Sequence, residues 1–237
     1  MFFPIYDHNP IDRKPIVTYA IIGINVAVWI FGQGARMVAG LYERSLCYFA
    51  LISGDLLGQI PKGTYISLGG GAYCPLDGQP QFYTLITHMF MHGGWLHIIG
   101  NMWFLWIFGD NIENALGRVR FLIFYLTCGL AAAAAQIATD VSSKIPMIGA
   151  SGAVSGVLGA YILLHPRSRI KVLLFFFLII EVPAVIVLGF YFALQVLNGL
   201  YGMDDGIAYW AHIGGFVAGL ALVKLMKKKE QTFLLRH

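Results

Sequence analysis

Residues 145–164 read IPMIGASGAVSGVLGAYILL. Gly149, Gly152, Gly156 and Gly159 recur at three- and four-residue intervals, which puts them on one side of a helix, with Ala153 and Ala160 between them. Gly152 and Gly156 form a Gly-x-x-x-Gly pair, and Ser155 with Gly159 repeats the spacing. A face this bare lets a second helix approach to backbone contact, the usual way helices associate where no water drives them together. Ser151 and Ser155 carry the aliphatic hydroxyls of the stretch. Taken alone, each reads as one more small residue.

The composition around this segment is that of a polytopic membrane protein. The chain has 237 residues, 58% of them hydrophobic and 12% charged, with a mean hydropathy of +0.70. Soluble domains carry about a quarter charged residues. The net charge of +4 says little by itself, and no nucleic-acid partner is expected. The first 15 residues are mixed and polar, and no small-x-small cleavage site follows the first apolar run, which therefore reads as a retained span. Three cysteines are too few for a disulfide framework. Cys128 lies in an apolar stretch and reads as packing. Cys47 and Cys74 share one long loop and pair if that loop faces an oxidising compartment, a point the sequence leaves open.

Six apolar segments approach the length needed to cross the bilayer, near residues 16–38, 96–113, 120–138, 149–164, 183–199 and 210–226. In the fifth region, KVLLFFFLIIEVPAVIVLGFYFALQVLNG (171–199), Glu181 and Pro183 read as a helix start, with LLFFFLII before them at the interface or packed on the bundle. Twelve of the sixteen basic residues fall on one side: Arg13, Lys14, Arg118, Arg120, Arg167, Arg169, Lys171, Lys224, Lys227, Lys228, Lys229 and Arg236. Arg36, Arg44, Lys62 and Lys144 fall on the other, with Glu43, Asp55, Asp77, Asp140, Asp204 and Asp205. The bias predicts both termini in the cytoplasm, and the expected location is the inner (plasma) membrane. A glycine- and aromatic-rich loop from about residue 39 to 85 is predicted to be partly amphipathic and to lie in the outer interface. No internal repeat is visible, so the expectation is an all-α, six-transmembrane-helix bundle with a long outer loop between helices 1 and 2. It forms a single domain over residues 1–237, with a core of about 15–226.

Polar residues stand where a bilayer makes them costly. Residues 87–117 read THMFMHGGWLHIIGNMWFLWIFGDNIENALG, with His88, His92, His97 and Asn101 in or just before the second span. His97 and Asn101 are four apart and share a helix face. Helix–helix hydrogen bonding accounts for such residues singly. The His88-x-x-x-His92 spacing suits zinc, but no carboxylate completes a ligand set, and neither metal nor cofactor is expected. The sixth segment, AYWAHIGGFVAGLALVKL (208–225), places His212 ahead of Gly215 and Gly219. Two glycine-lined helices thus each carry one reactive residue near one end. Close packing would bring His212 onto Ser151 as the general base of an activated serine. Asp204 and Asp205 lie in the preceding loop, so a dyad is expected. With spans two, four and six all running outside to inside, Ser151, His212, His97 and Asn101 fall at similar depth near the outer face. The Asn101 amide, the His97 ring and the Ser151 N–H are candidate oxyanion donors.

Three segments, HMFMHGGWLHIIGNMWFLWIFGDNIENALG, GASGAVSG and AHIGGFVAG, in this order and orientation, resemble the motifs of the rhomboid intramembrane serine proteases of the compact six-helix bacterial type. The resemblance runs from about residue 15 to 225. It implies Ser151 as nucleophile and His212 as base, with His97, Asn101 and the Ser151 amide lining the oxyanion hole and Gly149 preceding the nucleophile. It implies structural roles near the site for His92, which ties down the outer loop, for Gly152 and Gly215, and for Glu113 with Gly117 at the cytoplasmic end of span two. The implied activity is cofactor-free cleavage of single-span membrane proteins near the outer face, at small residues in spans that unwind easily. Two positions depart from the pattern. Tyr83-Thr84 stands where some members have Trp-Arg, and Ser155 stands where some have an aromatic beneath the base, so His212 must be held otherwise.

Two other functions are compatible with the composition. A non-catalytic rhomboid-like protein that binds membrane clients would not need Ser151 and His212. A small transporter with a histidine proton relay leaves the small flanks of Ser151 unexplained.

Overall fold

The computed structural model describes residues 2–69, 71–76, 78–175, 177–203 and 205–227. The basic residues Lys228, Lys229 and Arg236 and the acidic Asp77 and Asp204, all used above for orientation, lie outside the described residues.

Strand β1 (Phe2–Asp7) leads to helix α1 (Ile16–Ala27), which runs on into a π-helical turn, Val28–Gly32. The outer loop then folds as α2 (Leu41–Phe49), α3 (Ser53–Leu56), strands β2 (Tyr65–Gly69) and β3 (Ala72–Pro75), and α4 (Thr84–Thr87). The bundle follows: α5 (Trp95–Leu116), α6 (Arg118–Thr139) and α7 (Ser151–Leu164), then strands β4 (Arg169–Leu174) and β5 (Leu178–Pro183), then α8 (Ala184–Tyr201) and α9 (Tyr209–Met226). Among the described residues, α6, α8 and α9 are long and apolar enough to cross a membrane, while Ile16–Gly32 and α7 are shorter apolar helices.

Glycine decides the centre of the bundle. A Cβ on Gly215 or Gly219 would collide with the carbonyls of Gly152 and Gly156, so α9 lies backbone to backbone on α7. On its other side α7 meets α6, where a Cβ at Gly152 would stand 2.5 Å from the Ala132 methyl. Helix α5 contributes bulk instead: Leu105, Phe108, Ile112 and Leu116 are all fully buried. Its far end secures α1, because Glu113 accepts from the first-turn N–H groups of Val17 (3.0 Å) and Thr18 (2.7 Å) and from Thr18 Oγ1 (2.9 Å). These are donors a helix start leaves unpaired, and α1 has no cap of its own.

The strands correct the all-α expectation locally. Within LLFFFLII, residues 173–174 end β4 and residues 178–180 begin β5, and β1 adds a third strand in the order β1-β4-β5. Glu181 is therefore a strand residue paired across from Lys171 and bonded to His8 at 3.1 Å, while Pro183 does immediately precede a helix, α8. A uniformly apolar run carries no period to separate strand from helix, and here the pairing of β4 with both β1 and β5 settles it. The sheet is bound to the bundle through Asp7, whose Oδ2 accepts from Tyr161 Oη (2.7 Å) and Asn111 Nδ2 (2.8 Å). In the outer loop, α2 is amphipathic as expected. The β2–β3 hairpin was not foreseen, and Cys47 and Cys74 are joined as a disulfide.

Candidate active site

Ser151 is the first residue of α7, and His212 lies in the first turn of α9. The glycine contacts hold these two helices so close that Ser151 Oγ stands 2.8 Å from His212 Nε2. The fold thus brings together the serine and the histidine expected to meet. On the other side of the ring, Nδ1 lies 2.7 Å from Oε1 of Gln195 on α8. Gln195 escaped the sequence reading. Its signal was an amide in the apolar run VIVLGFYFALQVL, which in lipid demands a partner.

The groups opposite Ser151 come from α5 and from the turn before α7. Gly93 N–H donates to His97 Nδ1 at 3.2 Å, which leaves the ring proton on Nε2. That Nε2 faces the Cα of Gly149: a Cβ there would stand 2.7 Å away, and Gly149 has φ of +126°, a conformation side chains rarely adopt. Gly149 is thus required both by its backbone and by the space the imidazole occupies. Asn101 sits one turn beyond His97 and donates one of its two amide hydrogens to the His97 carbonyl at 3.1 Å. Helix α7 has no side-chain cap, so the Ser151 N–H is one of its unpaired first-turn donors. His97, Asn101 and Ser151 line one cavity of about 230 Å³, walled by Leu96, Phe104, Val154, Leu158 and Tyr191. A larger groove of about 990 Å³ runs between α2 and the β2–β3 hairpin and holds none of the expected site residues.

Other expected residues fall elsewhere. Ser155 is buried one turn below Ser151 and shares a hydrogen bond with Tyr191 Oη of α8 at 2.9 Å. His92 lies beside His97, ring centroids 5.1 Å apart, but its own ring nitrogens have no partner among the described residues. The loop is held instead by the backbone of His92, which exchanges two 2.8 Å bonds with the side chain of Gln33, a residue the sequence did not single out. His88 turns Nδ1 to the Thr84 carbonyl at 2.7 Å and supports Gly149 by accepting its N–H at 2.9 Å. Burial holds both imidazoles neutral, His88 at about 4 and His92 at about 3. Glu113 does not lie near the site: it is sixteen residues past His97 on one helix, roughly 24 Å away. Asp205 is engaged by the Tyr209 hydroxyl and the Ile207 N–H.

Chemically, the arrangement offers a serine hydroxyl on an imidazole nitrogen, three N–H donors beside a small cavity, and largely apolar walls. Such a set fits acyl transfer.

Comparison with known proteins points the same way. A family model described as Rhomboid domain matches residues 79–229. Rhomboid protease GluP of Bacillus subtilis is 35% identical over 147 residues, covering 62% of this chain and 27% of GluP. The mitochondrial Rhomboid protein 1 of Saccharomyces cerevisiae is 29% identical over 231 residues, covering 92% of this chain and 56% of that protein. A putative rhomboid protease of B. subtilis, YdcA, is 32% identical over 84 residues, or 35% of this chain and 41% of YdcA. The chain thus spans between about a quarter and just over half of the length of these relatives.

Proposed function

The chain belongs to the rhomboid family and is a multi-pass membrane protein, and on that premise we propose that it is an intramembrane serine endopeptidase with Ser151 as nucleophile and His212 as base. The observation that carries the proposal is the 2.8 Å contact between Ser151 Oγ and His212 Nε2 at the mouth of the cavity that His97 and Asn101 line. His212 takes the hydroxyl proton as Oγ attacks the scissile carbonyl. The tetrahedral oxyanion is met by the Ser151 N–H, the His97 Nε2–H and the free hydrogen of the Asn101 amide. Collapse passes the proton to the departing amine and leaves an acyl-enzyme, which water attacks with His212 again as base.

Helices α1, α5, α6, α7, α8 and α9 serve as six spans of a single domain, with both termini cytoplasmic in the inner membrane and the site toward the outer face. The substrate is a single-span membrane protein that enters laterally past α8. The segment between α8 and α9 admits water. The narrow cavity suits small residues at the cut. No metal or cofactor takes part.

A fluorophosphonate probe and cleavage of a model transmembrane substrate test this together. Wild type is expected to be labelled and to cleave, Ser151→Ala to do neither, and chelators to have no effect. Absence of labelling in folded wild type favours the non-catalytic, client-binding alternative.

A further inference from the structure

The catalytic base needs a lone pair on Nε2, so its proton must sit on Nδ1, and in a site of low dielectric that N–H needs an acceptor. Among the described residues no carboxylate supplies one: the ion pair they form is His8–Glu181, and Asp205 is engaged by Tyr209 and Ile207. Gln195 Oε1, at 2.7 Å, does. The amide oxygen meets this need without placing a charge beside the imidazole. Around His212 the titratable groups are Ser151 on α7 and His97 on α5, together with Tyr191 on α8, which bonds Ser155.

What matters is the element that delivers Gln195. Helix α8 is the least embedded of the three long apolar helices, with 17% of its apolar window buried against 33% for α9 and 39% for α6. Its buried residues, Ala184, Val187 and Leu188, all lie in its first turns. Further along, Leu194, Leu197 and Leu200 are exposed. The half that holds Gln195 meets the bundle through the Phe192–Phe216 stack, 4.4 Å between centroids, through Tyr191 beside Phe104 and Gly199 beside Tyr209 and Ile213, and through two side-chain hydrogen bonds that reach the site helices, Tyr191–Ser155 and Gln195–His212. One bond ends on the nucleophile's helix and the other on the base.

Resting on the assignment of Ser151 and His212 made above, we propose that Gln195 is the positioning residue of the catalytic base, and that His212 is set to accept the serine proton only while α8 is docked. Displacing α8, as a substrate span entering beside it must, removes the acceptor from Nδ1 and frees the imidazole to turn or change tautomer. Proton transfer then waits for α8 to return. Closure of the helix and arming of the base become one event, which keeps the serine from reacting while the site is open to lipid and water.

The test uses the full chain in detergent or bicelles, with rates of fluorophosphonate labelling and kcat and KM for a transmembrane substrate measured from pH 5 to 9. Gln195→Leu, close in size and lacking the acceptor, is expected to lower labelling and kcat about 10- to 100-fold with KM little changed. Gln195→Glu restores an acceptor; it is expected to recover most of the rate and to move the acidic limb of the profile upward by about one unit, which a packing role would not do. Gly199 faces Ile213 across the α8–α9 contact, so Gly199→Cys with Ile213→Cys, bridged by a short bifunctional thiol reagent, holds α8 docked. Labelling by the small probe is expected to persist at the wild-type rate. If wild type is labelled and Gln195→Leu matches it, if the Glu variant leaves the limb in place, or if the tether abolishes labelling, the proposal is overturned while Ser151 and His212 stand. A wild type that is folded and never labelled overturns the earlier assignment instead.

Discussion

Adding one methyl group at Gly215 should disarm the site without touching either reactive residue. A Cβ there would stand 2.9 Å from the carbonyl carbon of Gly152 and nearer still to its oxygen. Non-bonded carbon atoms settle at about 3.5–4.0 Å, so relieving the carbon contact alone moves α9 from α7 by about 0.6–1.1 Å, and the nearer oxygen asks for at least as much. His212 is one turn away on the same helix, and its 2.8 Å contact with Ser151 would lengthen to about 3.4–3.9 Å, past the ~3.2 Å limit of a good hydrogen bond. A displacement of about 1 Å in a reacting pair costs on the order of 100-fold in rate. Overpacking also costs about 1–3 kcal/mol of stability, so the thermal midpoint must be recorded beside the rate. The assay is the rate of fluorophosphonate labelling of Ser151 in Gly215→Ala, per folded monomer. Gly23→Ala, whose Cβ would meet nothing within 4 Å, is the control and should label like wild type. A folded Gly215→Ala that labels at the wild-type rate would refute the claim that backbone contact between α7 and α9 sets the distance between serine and histidine.

Further outcomes follow from the periphery. Glu113→Gln keeps one acceptor where three donors converge; it should lower the thermal midpoint, through a loss of about 1–3 kcal/mol, and leave labelling of the folded protein unchanged. His92 is held neutral down to about pH 3, against 6.5 for a free imidazole. The unfolded chain therefore binds the extra proton first, and stability, full above pH 6.5, should fall as pH drops from about 6.5 toward 3; His92→Gln should flatten that fall in a series of thermal melts. Reducing the Cys47–Cys74 disulfide opens a loop with a sequence separation of 27, worth about 3–4 kcal/mol by chain entropy; hydrogen exchange should quicken in β2 and β3 and stay slow in α7 and α9.

The parts of this molecule legible in its sequence are those where chemistry and period coincide. Glycines at intervals of three and four announced backbone contact, and a serine and a histidine near the ends of two such helices announced their meeting. His97 and Asn101 were legible because a polar pair on one helix face is conspicuous in an apolar segment. The hairpin at LLFFFLII was not, because a stretch apolar at every position fits strand and helix equally, and its partner β1 lies some 160 residues earlier in the chain. Gln195 and Gln33 were missed for a related reason. Each is a single amide whose meaning comes wholly from a group distant in sequence, His212 in one case and the His92 backbone in the other. Glu113 was read as structural at the far end of its span, and there it binds the start of α1; grouping it with residues near the site was wrong, since sixteen residues of one helix separate it from His97.

The amino-terminal strand has a practical consequence. Chain ends are where affinity tags and reporter fusions are commonly attached, on the assumption that nothing depends on them. Here residues 2–7 are knitted to β4, β4 to β5, and β5 runs through Pro183 directly into α8. A bulky group attached beside β1 would pull on one edge of a small ribbon whose other edge continues into the helix that carries Gln195. Comparisons between preparations that differ there would then report on the attachment as well as on the protein.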